Sequence, residues 1–171
     1  IMRFSPQPLD AITLKHLAGE LKTMLDGAKV NKIQQANHHE IIIHFWQSRP
    51  VSAQHKFIIS IRPQLSFCGV IPDKALFERD YPKTPLNFCV LLRKYLIGAK
   101  VTACSVLPDE RVLMIGLNNY NETGDIAEYE LIIELMGKHS NIIFIRFIFF
   151  CNHQYIYKIS INIIILECSS N

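Results

Sequence analysis

The chain has 171 residues, of which 49% are hydrophobic and 19% charged, and its formal net charge is +3. This length and composition predict one globular domain whose core is large enough to need no disulfide or metal for stability. The mildly basic net charge permits a nucleic-acid partner without indicating one. No apolar run reaches the ~18–20 residues that cross a bilayer. Residues 1–9 also lack the apolar centre of a signal peptide.

The cysteines and histidines predict neither disulfides nor a metal site. The five cysteines are scattered without a C-x-x-C pair: Cys68, Cys89, Cys104, Cys151 and Cys168. An odd number at such spacings fits reduced thiols in the cytoplasm better than a disulfide framework. His38 and His39 are adjacent rather than at ligand spacing, so we expect no metal and no cofactor.

The first predicted element is a helix over residues 10–26. Apolar residues from Ile12 to Leu25 recur at helical spacing. Asp10 stands where an N-cap belongs and Gly27 where a C′ glycine belongs. Asp10 therefore has a sufficient structural role before any other is considered.

Four strands are predicted next. Residues 28–35 alternate in polarity, a short polar turn follows, and residues 39–46 are the predicted return strand, which together are typical of a hairpin. A second pair covers 57–61 and 65–70, with Arg62-Pro63 interrupting the ladder. Residues 71–85 contain three prolines and predict an extended loop.

A second helix is predicted over residues 85–97. Pro85 fits position N1, where its missing N–H is harmless, and Gly98 fits the end. Arg93 and Lys94 fall in the last turns, where basic side chains usually compensate the helix dipole.

The remaining pattern is again one of strands. We expect strands at 99–106, 111–117 and 129–135, with a polar loop at 118–124. Two helices and about eight strands with hairpin-length connections predict an α+β fold with antiparallel sheets. No glycine-rich phosphate loop, nucleophile elbow or spaced carboxylate pair is present, so the sequence predicts no enzyme.

A polar turn follows the strand at 129–135. Gly137 permits a positive φ, and Ser140 and Asn141 can hydrogen-bond their own backbone. Such a turn directs Lys138 and His139 outward together. A solvated hairpin loop is one interpretation, and a contact with an anionic partner is the other.

The composition changes at residue 144. Residues 144–171 contain no Gly, Pro, Ala or Asp and are rich in Ile, Phe and Asn, which are residues of AT-rich codons. We therefore place a domain at 1–143 and an anomalous tail at 144–171, and our hypothesis for the tail is a frameshift or a misassembly. The alternative is a genuine hairpin of strands at 145–150 and 155–166.

Three segments together resemble the N-terminal domain of the NFACT proteins, the family of bacterial RqcH and eukaryotic NEMF, whose bacterial members are also labelled fibronectin/fibrinogen-binding proteins (FbpA). They are residues 9–35, the run Pro85-Leu-Asn-Phe-Cys-Val-Leu-Leu-Arg-Lys-Tyr-Leu96, and the run Glu134-Leu-Met-Gly-Lys-His-Ser-Asn-Ile-Ile143. The last two are specific to the family, and the resemblance covers roughly residues 8–143.

This resemblance implies a cytoplasmic role in ribosome-associated quality control. Members of the family bind a large ribosomal subunit that carries a stalled peptidyl-tRNA. They recruit charged tRNA, alanyl-tRNA in bacteria, so that the ribosome adds an untemplated C-terminal tail. The family's N-terminal domain also resembles that of formamidopyrimidine-DNA glycosylases. Those enzymes use an N-terminal proline, whereas Pro6 and Pro8 are internal here.

The resemblance also assigns site residues. The family's early aspartate matches Asp10, and ungapped spacing places its central arginine at Arg111. The residue before that arginine is Glu110, where the family has aspartate. We thus expect Asp10, Glu110 and Arg111 to bind tRNA. The further candidates for RNA or ribosome contact are Arg93, Lys94, Lys138 and His139.

Two other functions remain open at this stage. The family's older label suggests an adhesin that binds fibronectin or fibrinogen, and the tail suggests a non-functional truncated fragment. The family's later helix-hairpin-helix, coiled-coil and RNA-binding portions have no counterpart in this sequence.

Overall fold

The computed structural model describes residues 8–72, 83–148 and the backbone of 157–162. Most of the loop predicted at 71–85 and most of the tail fall outside these ranges. The helices are α1 (Ala11–Leu25) and α2 (Asn87–Leu96), with a 3-10 helix at Gly137–His139. The strands are β1 (Lys29–Asn37), β2 (Glu40–Gln47), β3 (Ala53–Ile61), β4 (Ser66–Ile71), β5 (Lys100–Val106), β6 (Val112–Tyr120), β7 (Ile126–Glu134), β8 (Asn141–Ile148) and β9 (Tyr157–Asn162).

The described strands form one antiparallel sheet in the order β4-β3-β2-β1-β5-β6-β7-β8-β9. Each half of the sheet is a meander of hairpins, and the halves meet where β1 pairs with β5 at the single ladder position Lys29–Lys100. The predicted α+β class with antiparallel pairing and two main helices is confirmed. The predicted similarity to the glycosylase domain remains a prediction.

Both halves contribute to one hydrophobic core. Strand β7 alternates between buried and more exposed positions, with Ala127, Tyr129, Leu131 and Ile133 pointing inward. Strands β2 and β4 are instead buried along most of their length. Helix α1 covers this core with Leu14, Ala18, Leu21 and Leu25. A smaller cluster lies on the other face of the first half: Ala36, Ile42, Ile58, Phe67 and Ile71.

The two halves are structural repeats of one another. The run Gly-Ala-Lys-Val occurs after α1 at residues 27–30 and after α2 at residues 98–101. The backbone contacts between these runs are reciprocal. Gly27 N–H donates to Val101 O (3.2 Å) and Gly98 N–H to Val30 O (2.8 Å). Such an exchange is the signature of a two-fold relation, and here the approximate axis passes between the paired Lys29 and Lys100.

The repeat extends to irregular features of the fold. The register of β1 against β2 shifts between Val30 and Lys32, and that of β5 against β6 shifts at the equivalent positions Val101 and Ala103. Because a bulge is a specific feature rather than a default of sheet geometry, its recurrence argues for an internal duplication.

The carbonyl groups at the C-terminal ends of both helices are satisfied in the same way. Gln47 at the end of β2 donates to Met24 O (3.4 Å) and Asp26 O (2.6 Å). Asn119 in β6 donates to the equivalent Tyr95 O and Ile97 O, both at 3.0 Å. These side chains supply donors that the last carbonyls of a helix otherwise lack.

The prediction for the start of the second helix is wrong by two residues. The helix begins at Asn87 rather than at Pro85, because Leu86 is extended (φ −64°, ψ 154°). The Leu86 N–H donates to the Gln35 side chain of β1 at 2.6 Å instead of entering the helix. This long-range hydrogen bond has no signal in the local sequence. The predicted end is confirmed, with Gly98 at φ +83°.

The polar loop predicted at 118–124 is shorter than expected. Strand β6 continues to Tyr120, and β7 already begins at Ile126. Asn118 and Asn119 pair with Glu128 and Ala127 in the ladder, so they are strand residues despite their polarity.

The predicted domain boundary at residue 143 falls inside β8. This strand pairs with β7 through Phe147 without a register shift, and Phe144 and Ile145 are buried. The predicted hairpin alternative overlaps β8 and β9, which pair with each other. Whether the reading frame changes at 144 remains a prediction.

Substitution by alanine should change the stability in opposite directions at two glycines, Gly27 and Gly19. Gly27 has φ +70°, where an alanine costs about 1–2 kcal/mol. Gly19 lies within α1 and has open space around its position, so alanine there should raise stability by about 0.5–1 kcal/mol. Urea unfolding of the two variants checks both signs. A loss of stability in Gly19→Ala, or a gain in Gly27→Ala, would contradict the assigned conformations.

Candidate functional site

Glu110 and Arg111 lie on the turn between β5 and β6. The turn closes through Glu110 N–H to Leu107 O (3.2 Å), and Asp109 holds the left-handed conformation at φ 61°. Both side chains are exposed. In the described part of the chain neither makes a side-chain hydrogen bond or an ion pair, so their charged groups are available to a partner.

A second turn lies directly beside this one. Leu135 N–H donates to Arg111 O (2.9 Å), and the 3-10 helix Gly137–His139 follows. Ser140 fixes this turn by accepting a hydrogen bond from Met136 N–H (2.9 Å). Lys138 and His139 are exposed, as predicted, and Gly137 has φ +59°. The structure thus brings together four of the predicted site residues: Glu110, Arg111, Lys138 and His139. We call them the turn cluster.

The backbone hydrogen bond that joins the two turns of the turn cluster recurs in the first half of the chain. In the first half Ile61 N–H donates to His39 O (2.9 Å), which is the counterpart of Leu135 donating to Arg111. His38 and His39 therefore occupy the positions of Glu110 and Arg111. Because the fold accepts other side chains there, the cationic character of the turn cluster is not a requirement of folding.

Asp10 serves as the N-cap of α1. Its carboxylate accepts a hydrogen bond from Thr13 N–H at 2.7 Å, and hydrogen bonding at Thr13 lowers the pKa of Asp10. The stabilising contribution is therefore complete above the ordinary aspartate pKa and is lost as the pH falls through the lower pKa of the folded state. Among the described residues no hydrogen bond or ion pair joins Asp10 to the turn cluster.

Arg93 and Lys94 have separate environments. Arg93 Nε donates to Ile33 O at 2.8 Å and ties α2 to β1. Lys94 lies near the other end of the second half, 3.9 Å from the Glu122 carboxylate in an exposed ion pair that is worth little. Strand β6 separates this end from the turn cluster by about 30 Å. The predicted site residues therefore do not form one surface.

A cavity that the sequence did not reveal lies beside Lys94. It has a volume of about 390 Å³ and is lined by Tyr95 and Lys94 of α2, Tyr120 and the loop after it, Tyr129 of β7 and Arg146 of β8. Tyr95, Tyr129 and Phe144 pack as an aromatic cluster with ring centroids 5.6–5.9 Å apart. We call this cavity the tyrosine pocket. The sequence shows a tyrosine in α2 and another in β7, but whether the two side chains lie together depends on the register of the sheet.

The loop at the rim of the tyrosine pocket is well defined. Asn121 Oδ1 accepts hydrogen bonds from Thr123 N–H (3.0 Å) and Asp125 N–H (2.8 Å), and Gly124 turns the chain at φ +85°. Burial raises the pKa of Tyr129, and the nearby Arg146 opposes that rise. The Tyr129 hydroxyl is thus neutral and able to donate at physiological pH.

The cysteines of the described residues are free and buried. Burial raises the pKa of Cys68 and of Cys89, and it raises that of Cys104 to about 11. These thiols are therefore protonated and poorly nucleophilic at neutral pH. Within the described ranges no group of three or more His, Cys, Asp or Glu side chains could hold a metal ion. None of the helices described has the length and apolar character that a membrane crossing requires.

Comparison with known proteins gives a consistent family. A family model described as "NFACT N-terminal and middle domains" matches residues 10–148. A protein of Streptococcus suis named "Rqc2 homolog RqcH" is 35% identical over 138 residues, which is 80% of this chain and 23% of that protein. A Bacillus subtilis protein of the same name is 32% identical over 124 residues, 72% of this chain and 20% of that protein.

Solved structures agree with this result. The N-terminal part of the fibronectin/fibrinogen-binding protein of Streptococcus suis superposes with a TM-score of 0.73 at 33% identity, over 81% of this chain and 49% of that one. The N-terminal domain of the fibronectin-binding protein PavA of Streptococcus pneumoniae gives 0.72 at 28% identity, over 85% and 57%. The chain spans between a fifth and a quarter of the length of these curated relatives.

Proposed function

The chain belongs to the NFACT family, and from that membership we propose that it is the tRNA-handling N-terminal part of a cytoplasmic ribosome-associated quality control factor. Its curated relatives carry the name Rqc2 homolog RqcH. The observation that carries the proposal is the turn cluster, where Arg111, Lys138 and His139 lie exposed on two adjacent turns.

The chemistry of the turn cluster suits RNA. A guanidinium presents a planar fork of donors that matches phosphate or a base edge. Lys138 adds a flexible point charge, and the Glu110 carboxylate can accept from a base amino group or a ribose hydroxyl. Since Arg111 and Glu110 have no side-chain partner within the described residues, binding would not require breaking an existing ion pair.

The family also suggests which partners to propose. We propose that the chain contributes to binding tRNA, alanyl-tRNA in the bacterial case, on a large ribosomal subunit that carries a stalled peptidyl-tRNA. Bond formation is the ribosome's chemistry, so the protein positions tRNA and is not itself the catalyst. We assign the turn cluster to tRNA, with Asp10 as a further contact at the N-terminus of α1. Arg93 and Lys94 are assigned to RNA or ribosome contact outside the turn cluster.

Arg111→Ala should weaken tRNA binding by about 1–3 kcal/mol and should make the affinity less dependent on salt, because one phosphate or base contact is lost. The measurement is filter binding of labelled tRNA at several salt concentrations. Lys22→Ala is the matched control, since Lys22 is an exposed cation in the last turn of α1. Equal affinity of Arg111→Ala and the unaltered chain would make Arg111 a surface residue only.

An adhesin role is the second candidate, because the solved relatives are named for binding fibronectin or fibrinogen. The same preparation tested on immobilised fibronectin distinguishes the two. Saturable binding to fibronectin that Arg111→Ala leaves unchanged, together with no binding to tRNA, would favour the adhesin.

A further inference from the structure

The tyrosine pocket holds a cation for which the described residues provide no counter-ion. Arg146 is half-buried in β8, and no carboxylate in the described part of the chain pairs with it. Its guanidinium lies 5.3 Å from the centre of the Tyr95 ring, and its Nε is buried with no hydrogen-bond partner among the residues that the structure describes. A guanidinium in this state attracts an anion more strongly than a solvated one does, because less water screens it.

A second cation flanks the same ring. Lys94 Nζ lies 5.3 Å from the Tyr95 centroid. Its contact with Glu122 is long, at 3.9 Å, and the Glu122 side chain is 94% exposed, so this carboxylate can turn away at little cost. Two positive charges thus surround an aromatic surface whose cavity is large enough for a small ligand.

The internal duplication shows that the fold does not need this pocket. To compare the two halves, we align α1 with α2 by the Gly-Ala-Lys-Val run that follows each helix. We align β3 with β7 by two equivalent ladder pairs, Gln47–Ala53 in the first half and Asn119–Ala127 in the second. Four equivalent pairs are Thr23 and Lys94, Met24 and Tyr95, His55 and Tyr129, and Pro72 and Arg146. The first half thus has neither of the two cations nor the two tyrosines at the corresponding places.

We propose that the tyrosine pocket binds a nucleotide with an unpaired base, the base packing against tyrosine and the phosphate lying between Lys94 and Arg146. Tyrosine rings accept any base by stacking, as in proteins that bind single-stranded nucleic acid. Asn121, Thr123 and the tyrosine hydroxyls at the rim supply donors and acceptors for the base edge or the ribose. This combination favours a nucleotide over inorganic phosphate, which cannot use the rings.

This site lies outside the turn cluster and shares with the proposed function only Lys94, which is assigned there to RNA or ribosome contact. A free nucleotide and an unpaired nucleotide within RNA offer the pocket the same chemistry. The two sources differ in affinity, because flanking phosphates of an RNA add contacts with the basic surface.

The test is calorimetric titration of the full chain with AMP, CMP, GMP and UMP, with inorganic phosphate alone, and with a short unstructured RNA. We expect saturable binding of the nucleotides, weaker or no binding of phosphate, and competition between nucleotide and RNA for one site. The variant with Lys94→Thr and Tyr95→Met installs the residues of the equivalent first-half positions and should weaken binding by about tenfold or more. Lys15→Thr, an exposed change on α1, should leave it unaltered.

Several outcomes would overturn the proposal. They are the absence of saturable nucleotide binding, binding of phosphate as tight as that of nucleotide, and nucleotide affinity unchanged in the double variant. Arg146→Gln provides an independent check, and thermal unfolding shows whether it is folded. If the folded Arg146→Gln chain binds nucleotide as the unaltered chain does, the pocket is not the site. Arg111→Ala should keep nucleotide binding, so failure of this proposal and failure of the tRNA proposal are separable.

Discussion

Phe144→Ala should lower the free energy of unfolding by about 3–5 kcal/mol. Phe144 is 2% exposed in β8 and stacks on Tyr129 with ring centroids 5.6 Å apart and on Tyr95 at 5.8 Å. Its removal leaves a cavity beside the two remaining rings, which are held by a helix and a strand, and a rigid site of that kind collapses poorly.

Urea unfolding followed by far-ultraviolet circular dichroism measures this change. Ile126→Ala is the control, because Ile126 is a strand residue that is 61% exposed and its loss should cost about 0.5 kcal/mol or less. The result also decides the status of the chain after residue 143. If Phe144→Ala is no more destabilising than Ile126→Ala, the segment from 144 onward is not part of the folded sheet.

Leu21→Ala and Leu92→Ala should each cost about 2–5 kcal/mol, and the two losses should be similar. These leucines are equivalent residues of α1 and α2, both are 0% exposed, and both belong to the shared core. Similar packing at the two positions is what an internal duplication implies.

The same unfolding experiment, with Ile12→Ala as control, tests this equivalence. Ile12 lies on α1 but is 71% exposed, so its truncation should be nearly neutral. A large loss for Leu21→Ala with a small one for Leu92→Ala would show that α2 is only loosely attached and that the halves do not share one core.

Local patterns predicted most of the secondary structure. Asp10 and Gly27 bound α1, and apolar runs with the turns between them predicted the β1–β2 and β3–β4 hairpins, because each feature depends on residues close in the chain. The predicted start of α2 was wrong because the side chain of Gln35, far away in sequence, accepts a hydrogen bond from the N–H of Leu86. The predicted extent of β6 was too short because Asn119, although polar, is a strand residue whose side chain donates hydrogen bonds to the C-terminal carbonyls of α2.

The candidate site was only partly predictable. The exposure of Lys138 and His139 followed from the turn residues around them, and their closeness to Arg111 required the pairing of β6 with β7. The tyrosine pocket depends on the register that places Arg146 opposite Tyr129. The repeated Gly-Ala-Lys-Val run is a sequence signal for the duplication that alternation alone does not show.

Sedimentation of the full chain with large ribosomal subunits that carry peptidyl-tRNA tests the central claim most directly. The account predicts that the chain pellets with these subunits at low salt, that added alanyl-tRNA increases the bound fraction, and that Arg111→Ala reduces it while Lys22→Ala does not. The same amount of chain in the pellet with and without subunits, at every salt concentration, would contradict a role in ribosome-associated quality control for this part of the family.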